Sequence, residues 1–164
     1  MSAAPVRAAA AADAEAVAEL WNRMIRDTLA TFNSREKTVA EVGELIAQRP
    51  GAFFVAEEGR LDGFVTFAQF RAGPGYAHTI EHTILLDEAA RGRGIGLALM
   101  RAAVTAAEAA GHHVMVAGIS SANPAAVTFH ERLGFRKVGH MPQVGFKANQ
   151  WLDLILMQKI LAAS

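Results

Sequence analysis

The stretch RGRGIG has the residue types and spacing of a ligand-binding loop, because it follows a strand-like apolar run and opens an alanine-rich helical sequence. A glycine inside a helix costs about 1 kcal/mol relative to alanine, so Gly92, Gly94 and Gly96 indicate a need for bare backbone. Such a helix start presents free N–H groups at the positive end of the helix dipole. With Arg91 and Arg93 beside them, the pattern predicts a phosphate or pyrophosphate site.

Two other phosphate-binding patterns fail on spacing. A GxGxxG dinucleotide fingerprint beginning at Gly92 requires glycine at position 97, which is Leu97, and no P-loop ending in Gly-Lys-Ser/Thr occurs. The pattern that remains is RxxGxG, formed by Arg91, Gly94 and Gly96. The alternative is that the glycines only permit a tight turn and that the arginines are solvated.

Composition restricts the class of protein. The chain has 164 residues, which suits a single domain spanning residues 1–164, and its 16 basic and 16 acidic residues favour neither nucleic acid nor an anionic membrane as a partner. There is no cysteine, so disulfides, thiolate zinc sites and a cysteine nucleophile are excluded. The six histidines lack metal-binding spacing such as HExxH, so no metal is expected.

The N-terminal sequence is alanine-rich, but Arg7, Asp13 and Glu15 interrupt it, so it lacks the apolar core of a signal peptide. No uncharged apolar run approaches the length of a membrane span. We therefore expect a cytoplasmic protein.

Hydrophobic periodicity predicts the elements that position the glycine loop. Asp13 is expected to cap a first helix, because apolar residues from Val17 to Ile25 recur at three- and four-residue spacing. Two Phe- and Val-rich runs around a Glu-Gly-Arg turn predict a hairpin. The other predicted elements are helices over Ser34 to Gln48, Gly94 to Ala110 and Asn123 to Leu133, and strands over 78–86, 112–119, 135–141 and 151–160.

These elements predict an α/β (α+β) fold in a single domain. Helices would flank a mixed, mostly antiparallel twisted sheet, with at least one parallel crossover through the helix that starts at Gly94. The glycine loop would then lie between a strand and the helix that follows it.

Five stretches, in order along the chain, resemble the GNAT superfamily of N-acetyltransferases and, within it, the phosphinothricin acetyltransferase-like branch. RxxGxG between a strand and a helix resembles the coenzyme A pyrophosphate loop of that superfamily. The resemblance covers nearly the whole chain. The matching stretches are VRAAAAADAEAVAELWN, TFNSREKT, HTIEHTILLDEAARGRGIG, NPAAVTFHERLGF and VGFKANQWLDLILMQ.

The resemblance implies acetyl-CoA as cosubstrate, lying along splayed strands with its pyrophosphate on the glycine loop. The backbone of one strand would pair with the pantetheine arm. The residues implied to bind acetyl-CoA are Ile84, Leu85, Leu86, Arg91, Gly92, Arg93, Gly94, Ile95, Gly96 and Asn123. The resemblance also implies a homodimer, without indicating which surface forms it.

Glu81 is the candidate catalytic base. Amine acetylation requires a proton acceptor for the amine and a group that stabilises the leaving thiolate, and the lack of cysteine excludes an acetyl-cysteine intermediate and favours direct attack. Strand alternation places Glu81 and Leu85 on one face and His82 on the other. The resemblance to the family's Thr-Val-Glu-His stretch implies the same glutamate. The alternative is an exposed or edge residue.

His130 is the second catalytic candidate. It follows Asn123 by seven residues, two helical turns, and so lies on the same helix face. Here Phe-His-Glu resembles the branch's Leu-His-Glu motif, which implies that His130 acts as an acid toward the thiolate; a near-neutral pKa would suit this. The alternative is that His130 packs or hydrogen-bonds beneath the Gly-Phe turn.

The family pattern ArgxArgxxTyr implies a site for the carboxylate of the acceptor. Here Arg71 and Tyr76 are present, whereas Gly73 replaces the second arginine. A bidentate arginine–carboxylate pair contributes about 1.5–3 kcal/mol, so its loss weakens the inference of a glutamate-like acceptor.

A second substrate wall is implied by Lys147 and Trp151, although Ala148 and Asn149 depart from the branch's usual aromatic and glycine. Phe32, with Trp151 and Tyr76, would line an apolar pocket, the alternative being core packing.

The leading hypothesis is an acetyltransferase that uses acetyl-CoA and acts on the primary amine of a small amino-acid-like acceptor, of the phosphinothricin or methionine sulfoximine type. The alternatives are acetylation of a peptide or protein N-terminus or of a lysine, a non-catalytic acetyl-CoA-binding module, and a nucleotide-binding regulator. The neutral net charge, Arg71 and Lys147 favour a small acid.

Overall fold

The computed structural model describes residues 5–162, which form one seven-stranded sheet and four α-helices. The strands are β1 (Val6–Ala8), β2 (Phe53–Glu57), β3 (Leu61–Gln69), β4 (Thr79–Leu86), β5 (Val114–Ser120), β6 (Arg136–Lys147) and β7 (Gln150–Ile160). The helices are α1 (Ala14–Asp27), α2 (Val39–Gln48), α3 (Ile95–Ala109) and α4 (Pro124–Arg132).

The strands lie in the order β1-β2-β3-β4-β5-β7-β6. Every neighbouring pair is antiparallel except β4 and β5, which are parallel and are connected through α3. This confirms the predicted mostly antiparallel mixed sheet and its parallel crossover.

The two parallel strands diverge soon after they meet. β5 pairs with β4 only from Thr79 to Glu81, although β3 follows β4 as far as Leu86 and β7 follows β5 as far as Ser120. The end of β4 therefore has no neighbouring strand on its β5 side, and backbone groups there need another partner.

Two hydrophobic clusters cover the two faces of the sheet. Ile80, Ile84 and Leu86 pack into the cluster that includes α3, whereas Leu85 packs against the cluster formed with α1 and α2. This division confirms the alternation predicted for β4.

The start of α2 differs from the prediction. The helix begins at Val39 instead of Ser34, because Thr38 and Glu41 form a capping box: the Thr38 hydroxyl accepts from the Glu41 N–H, and the Glu41 carboxylate accepts from the Thr38 N–H. The predicted end at Gln48 is confirmed.

Asp13 is the N-cap residue of α1, as predicted, but its side chain does not make the cap. The carboxylate of Asp13 makes no capping bond to α1; it accepts hydrogen bonds from the Ala10 N–H and the Arg7 guanidinium. Arg7 lies on β1, a three-residue edge strand without a periodic signal in the sequence.

Within residues 5–162, no helix combines the length and hydropathy needed to cross a bilayer.

Candidate functional site

A cavity of about 710 Å³ opens where β4 and β5 diverge. Its walls come from β4, β5, the glycine loop, α4 and the segment after α1. The predicted site residues that line it are Ile84, Leu85, Leu86, Arg91, Gly92, Gly94, Ile95, Gly96, Asn123, His130 and Phe32.

The three glycines of the loop serve two purposes. Gly92 and Gly94 have φ values of 75° and 77°, and a Cβ on either would meet no atom within 4 Å, so they give a left-handed turn that is open on the cavity side. A Cβ on Gly96 would lie 3.2 Å from Leu86 Cδ1 and from the Phe129 ring. The first two glycines thus fit anion binding, whereas Gly96 permits close packing of α3.

The loop leaves backbone donors free for an anion. Gly94 is the N-cap residue of α3 and has no side chain that could bond to the first-turn N–H groups. Arg91 lines the cavity beside these groups. The residues therefore fit a pyrophosphate at this end of the cavity.

The side chain of Arg93 lies away from the cavity lining. It pairs with Glu58 at 2.9 Å and with the buried Asp62 at 3.4 Å. It therefore attaches the glycine loop to Glu58, in the turn between β2 and β3, and to Asp62, at the start of β3.

Glu81 lies at the point where β4 and β5 separate. Its Oε2 atom is 3.0 Å from the position that a Cβ on Gly118 would occupy, and Gly118 lines the cavity, although Glu81 itself is not among the lining residues. Glu81 is exposed as a residue, but burial around its carboxyl group raises its pKa. A carboxylate in this position can accept a proton at the edge of the cavity.

His130 is buried and hydrogen-bonded to a second histidine. Its Nε2 atom is 2.9 Å from Nε2 of His82, and its Nδ1 atom is 2.7 Å from the Ala126 carbonyl oxygen. Because a carbonyl can only accept, Nδ1 of His130 is assigned the proton, and its Nε2 then accepts from His82 Nε2–H.

The histidine pair is neutral near pH 7. Burial, followed by the charge of His130, lowers the pKa of His82 to about 3, and the Val116 backbone opposes this only in part. Burial also lowers the pKa of His130, against the effect of the Ala126 bond. His82 Nδ1 has no hydrogen-bond partner of acceptable geometry among residues 5–162. The sequence analysis did not predict the pairing of His82 with His130. It did place His82 on the face of β4 opposite to Glu81.

Four of the five predicted substrate residues, Arg71, Tyr76, Lys147 and Trp151, lie outside the cavity lining. Tyr76 is 42% exposed, with the Arg71 guanidinium carbon 5.8 Å from its ring centre. Trp151 is 65% exposed and packs on Phe146 at a ring-centre distance of 4.7 Å. The structure does not bring these aromatics together with Phe32 in one pocket.

Lys147 lies close to the cavity but has other partners. Its ammonium group donates to the carbonyl oxygens of Thr28 and Thr31 at 2.8 and 2.9 Å. The sequence analysis included this segment through TFNSREKT and Phe32 but assigned no role to Thr31 and Asn33, which line the cavity beside Phe32.

In the part of the chain from residue 5 to residue 162, no group of three or more His, Asp or Glu side chains is arranged to bind a metal ion.

The sequence profile of the acetyltransferase (GNAT) family matches residues 15–135, which include the glycine loop, Glu81 and His130. The chain belongs to the GNAT family. This confirms the assignment made from the five matching stretches.

Two relatives with named activities are similar to this chain over most of its length. It is 36% identical over 160 residues to an L-methionine sulfoximine/L-methionine sulfone acetyltransferase of Salmonella typhimurium, covering 93% of this chain and 92% of the relative. It is 34% identical over 165 residues to the L-amino acid N-acyltransferase MnaT of Escherichia coli, covering 93% and 91%.

Solved GNAT structures agree with the fold. A phosphinothricin acetyltransferase from Sinorhizobium meliloti, in complex with acetyl-CoA, superposes with a TM-score of 0.92 at 32% identity, covering 97% of this chain and 89% of that one. The chain is thus a GNAT acyltransferase of the phosphinothricin acetyltransferase-like branch, as the sequence motifs predict.

Proposed function

We propose that this GNAT protein transfers the acetyl group of acetyl-CoA to the primary amine of a small amino-acid-like acceptor. The observation that carries the proposal is the cavity between β4 and β5, which has the open glycine turn in its lining and Glu81 beside it at the point of divergence. The activities named for the relatives, on L-methionine sulfoximine, L-methionine sulfone and L-amino acids, support the acceptor class.

The coenzyme supplies an acetyl group activated as a thioester. Around it, the N–H groups of the turn at Gly92 and Gly94 would bind the pyrophosphate, with Arg91 beside them. Backbone groups of Ile84 to Leu86 have no β5 partner and would bind the pantetheine arm. Asn123, at the start of α4, lines the same cavity.

Glu81 would accept the proton of the acceptor amine as that amine attacks the thioester carbonyl directly. No group within residues 5–162 donates a hydrogen bond to its carboxylate, so both oxygens are available. His130 would supply a proton to the leaving thiolate only in its imidazolium form, because a neutral ring that gave up its Nδ1 proton would be left as an imidazolate. The proton that leaves the amine balances this transfer, and the ring would have to release its bond to Ala126 or to His82 to take part.

The acceptor would lie against uncharged lining residues of α1, of the segment after α1 and of β7. These include Trp21, Met24, Thr31, Phe32 and Leu154. Apolar surface of this kind favours an acceptor with an uncharged side chain. Arg71, outside the lining, is the proposed partner of the acceptor carboxylate.

The function is tested by thiol release from acetyl-CoA across a panel of acceptors. The panel contains free amino acids, phosphinothricin, methionine sulfoximine, methionine sulfone and short peptides. We expect turnover on methionine sulfone or a related small acid, and little on peptides. Turnover on peptides alone would contradict the acceptor class.

Thermal shift with the same protein separates the remaining alternatives. We expect acetyl-CoA to raise the melting temperature, while ATP and NAD at equal concentration do not, because the RxxGxG loop follows the coenzyme A pattern. Stabilisation by acetyl-CoA without turnover on any acceptor would instead indicate a non-catalytic binding module. Equal stabilisation by ATP would indicate a nucleotide-binding regulator.

We also infer a homodimer that uses the β6–β7 face. β6 is an edge strand, and the sheet exposes a group of large apolar side chains there: Val138, Met141, Val144, Phe146, Trp151 and Ile160. Sedimentation should show a dimer at micromolar concentration that Val144→Glu dissociates. Val39→Glu, at an equally exposed site on α2, should remain dimeric. A monomeric wild-type protein would contradict this inference.

A further inference from the structure

The segment of residues 28–33, here called the acceptor loop, connects the end of α1 to the cavity. Four residues of the loop, from Ala30 to Asn33, line the cavity, and the aromatic ring of Phe32 forms part of the cavity wall. The loop begins at Thr28, the C-cap residue of α1, whose N–H and hydroxyl both donate to the Met24 carbonyl. The position of Phe32 therefore depends on what fixes residues 29–33.

Lys147, the last residue of β6, binds this loop directly. Its ammonium donates to the carbonyls of Thr28 and Thr31, which span the loop, and a cation beside the C-terminus of α1 also interacts favourably with the helix dipole. Among residues 5–162 no carboxylate forms an ion pair with Lys147, and burial lowers its pKa. Its fixed partners are thus the two loop carbonyls.

Gly145 fixes the same loop by its lack of a side chain. A Cβ on Gly145 would lie 2.7–2.8 Å from three carbon atoms of the Phe32 ring, closer than real Cβ contacts. Gly145 is buried, and it lies two residues before Lys147 on β6. The ring of Phe32 therefore rests on bare backbone of the strand that also supplies the lysine.

We propose that Lys147 and Gly145 are positioning residues that set the acceptor loop, and through Phe32 the fit of the acceptor. The proposal rests on the proposed function, and it gives Lys147 a role different from the direct substrate wall that the family resemblance implies. Two independent contacts hold the loop against β6: the hydrogen bonds donated by Lys147 and the packing of the Phe32 ring on Gly145.

Kinetics with two matched acceptors distinguish the two roles of the lysine. A direct ligand would recognise the acceptor carboxylate, so its loss would affect methionine sulfone but not methionine sulfone carboxamide. A positioning residue would affect both acceptors equally, because the wall formed by Phe32 contacts the rest of the molecule. For a variant that lacks the lysine, the two roles therefore predict different ratios of the KM for methionine sulfone to the KM for its carboxamide.

The first variant is Lys147→Met, compared with Lys137→Met, which alters an exposed lysine of β6 remote from the loop. We expect Lys147→Met to raise KM about tenfold for both the acid and the carboxamide, with kcat and acetyl-CoA affinity within about threefold of wild type. Lys147→Arg, which retains donors, should recover part of the loss. An effect on the acid alone, or no effect on KM, would overturn the proposal.

Hydrogen exchange tests the loop without any turnover. Amides of residues 29–33 should exchange at least about tenfold faster in Lys147→Met than in wild type or Lys137→Met, whereas amides of β4 stay unchanged. Unchanged exchange in the loop would overturn the positioning role. If no acceptor is turned over but exchange accelerates, the proposed function fails while the structural role of Lys147 stands.

A double-mutant cycle tests Gly145. Gly145→Ala should raise acceptor KM by displacing the Phe32 ring, and adding Phe32→Leu, which removes the ring atoms that the new methyl group meets, should cancel most of that increase. Independent, multiplicative effects on KM would show that Gly145 does not act through Phe32.

Discussion

Glu81→Gln is expected to lower kcat by about 10²–10⁴-fold while leaving acetyl-CoA affinity nearly unchanged, because it removes the proton acceptor but not the coenzyme-binding backbone. Glutamine keeps the shape of the side chain over Gly118, so packing at the β4–β5 divergence is preserved. Steady-state kinetics and calorimetric titration with acetyl-CoA measure the two effects. Glu44→Gln, on the exposed face of α2, is the matched control.

The pH dependence of kcat/KM in the wild-type enzyme should show the ionisation of Glu81. Glu81 accepts a proton only when ionised, so kcat/KM rises as pH increases through its pKa. Because burial raises this pKa, the acidic limb should lie above the usual glutamate value of about 4.3. Glu81→Gln should abolish the limb. A variant with wild-type kcat and an unchanged limb would remove Glu81 from the mechanism.

His130→Gln tests whether His130 protonates the leaving thiolate. If His130 supplies the proton, kcat should fall about 10²-fold or more, with acceptor KM unchanged. The variant also leaves His82 without its Nε2 partner, so the melting temperature should fall as well. Full activity with reduced stability would assign His130 to packing, the alternative that the sequence left open.

Gly94→Val should weaken acetyl-CoA binding by about 100-fold or more, equivalent to about 2.7 kcal/mol. The Val side chain would occupy open space on the turn that presents N–H groups to the pyrophosphate, and it would disfavour the φ of 77° on which the turn depends. Calorimetry or thermal shift with acetyl-CoA measures the loss.

Gly111→Val is the control that separates obstruction of the anion site from general backbone strain as the cause of that loss. Gly111 follows the other end of α3, has a φ of 83° and has open space at its Cβ position, so valine brings similar backbone strain of about 1–3 kcal/mol. The 15 residues of α3 separate it from the loop by about 22 Å. Both variants should lose stability, but only Gly94→Val should lose coenzyme. Normal acetyl-CoA binding by Gly94→Val would refute the anion site at this turn.

Much of the fold was predictable because local rules set it. The helix predicted from Gly94 to Ala110 and the alternation of β4 follow from short-range geometry. The structure confirms both, with α3 over Ile95–Ala109 between Gly94 as N-cap and Ala110 as C-cap. The start of α2 was misplaced because the Thr38–Glu41 capping box was overlooked, although it is a local signal. β1 was missed because three residues carry no period and form a strand only by pairing with β2.

The sequence by itself determined the family, the glycine turn and the candidate base, since these depend on residue types at fixed spacing along one segment. Only the tertiary structure decided which partners the polar side chains have. Arg93 bonds to Asp62, His130 to His82, and Lys147 to the acceptor loop, and each pair joins segments far apart in the chain. The reason is physical: a buried or half-buried polar group bonds to whichever group the fold brings within about 3 Å, and residue spacing along the chain does not specify that neighbour.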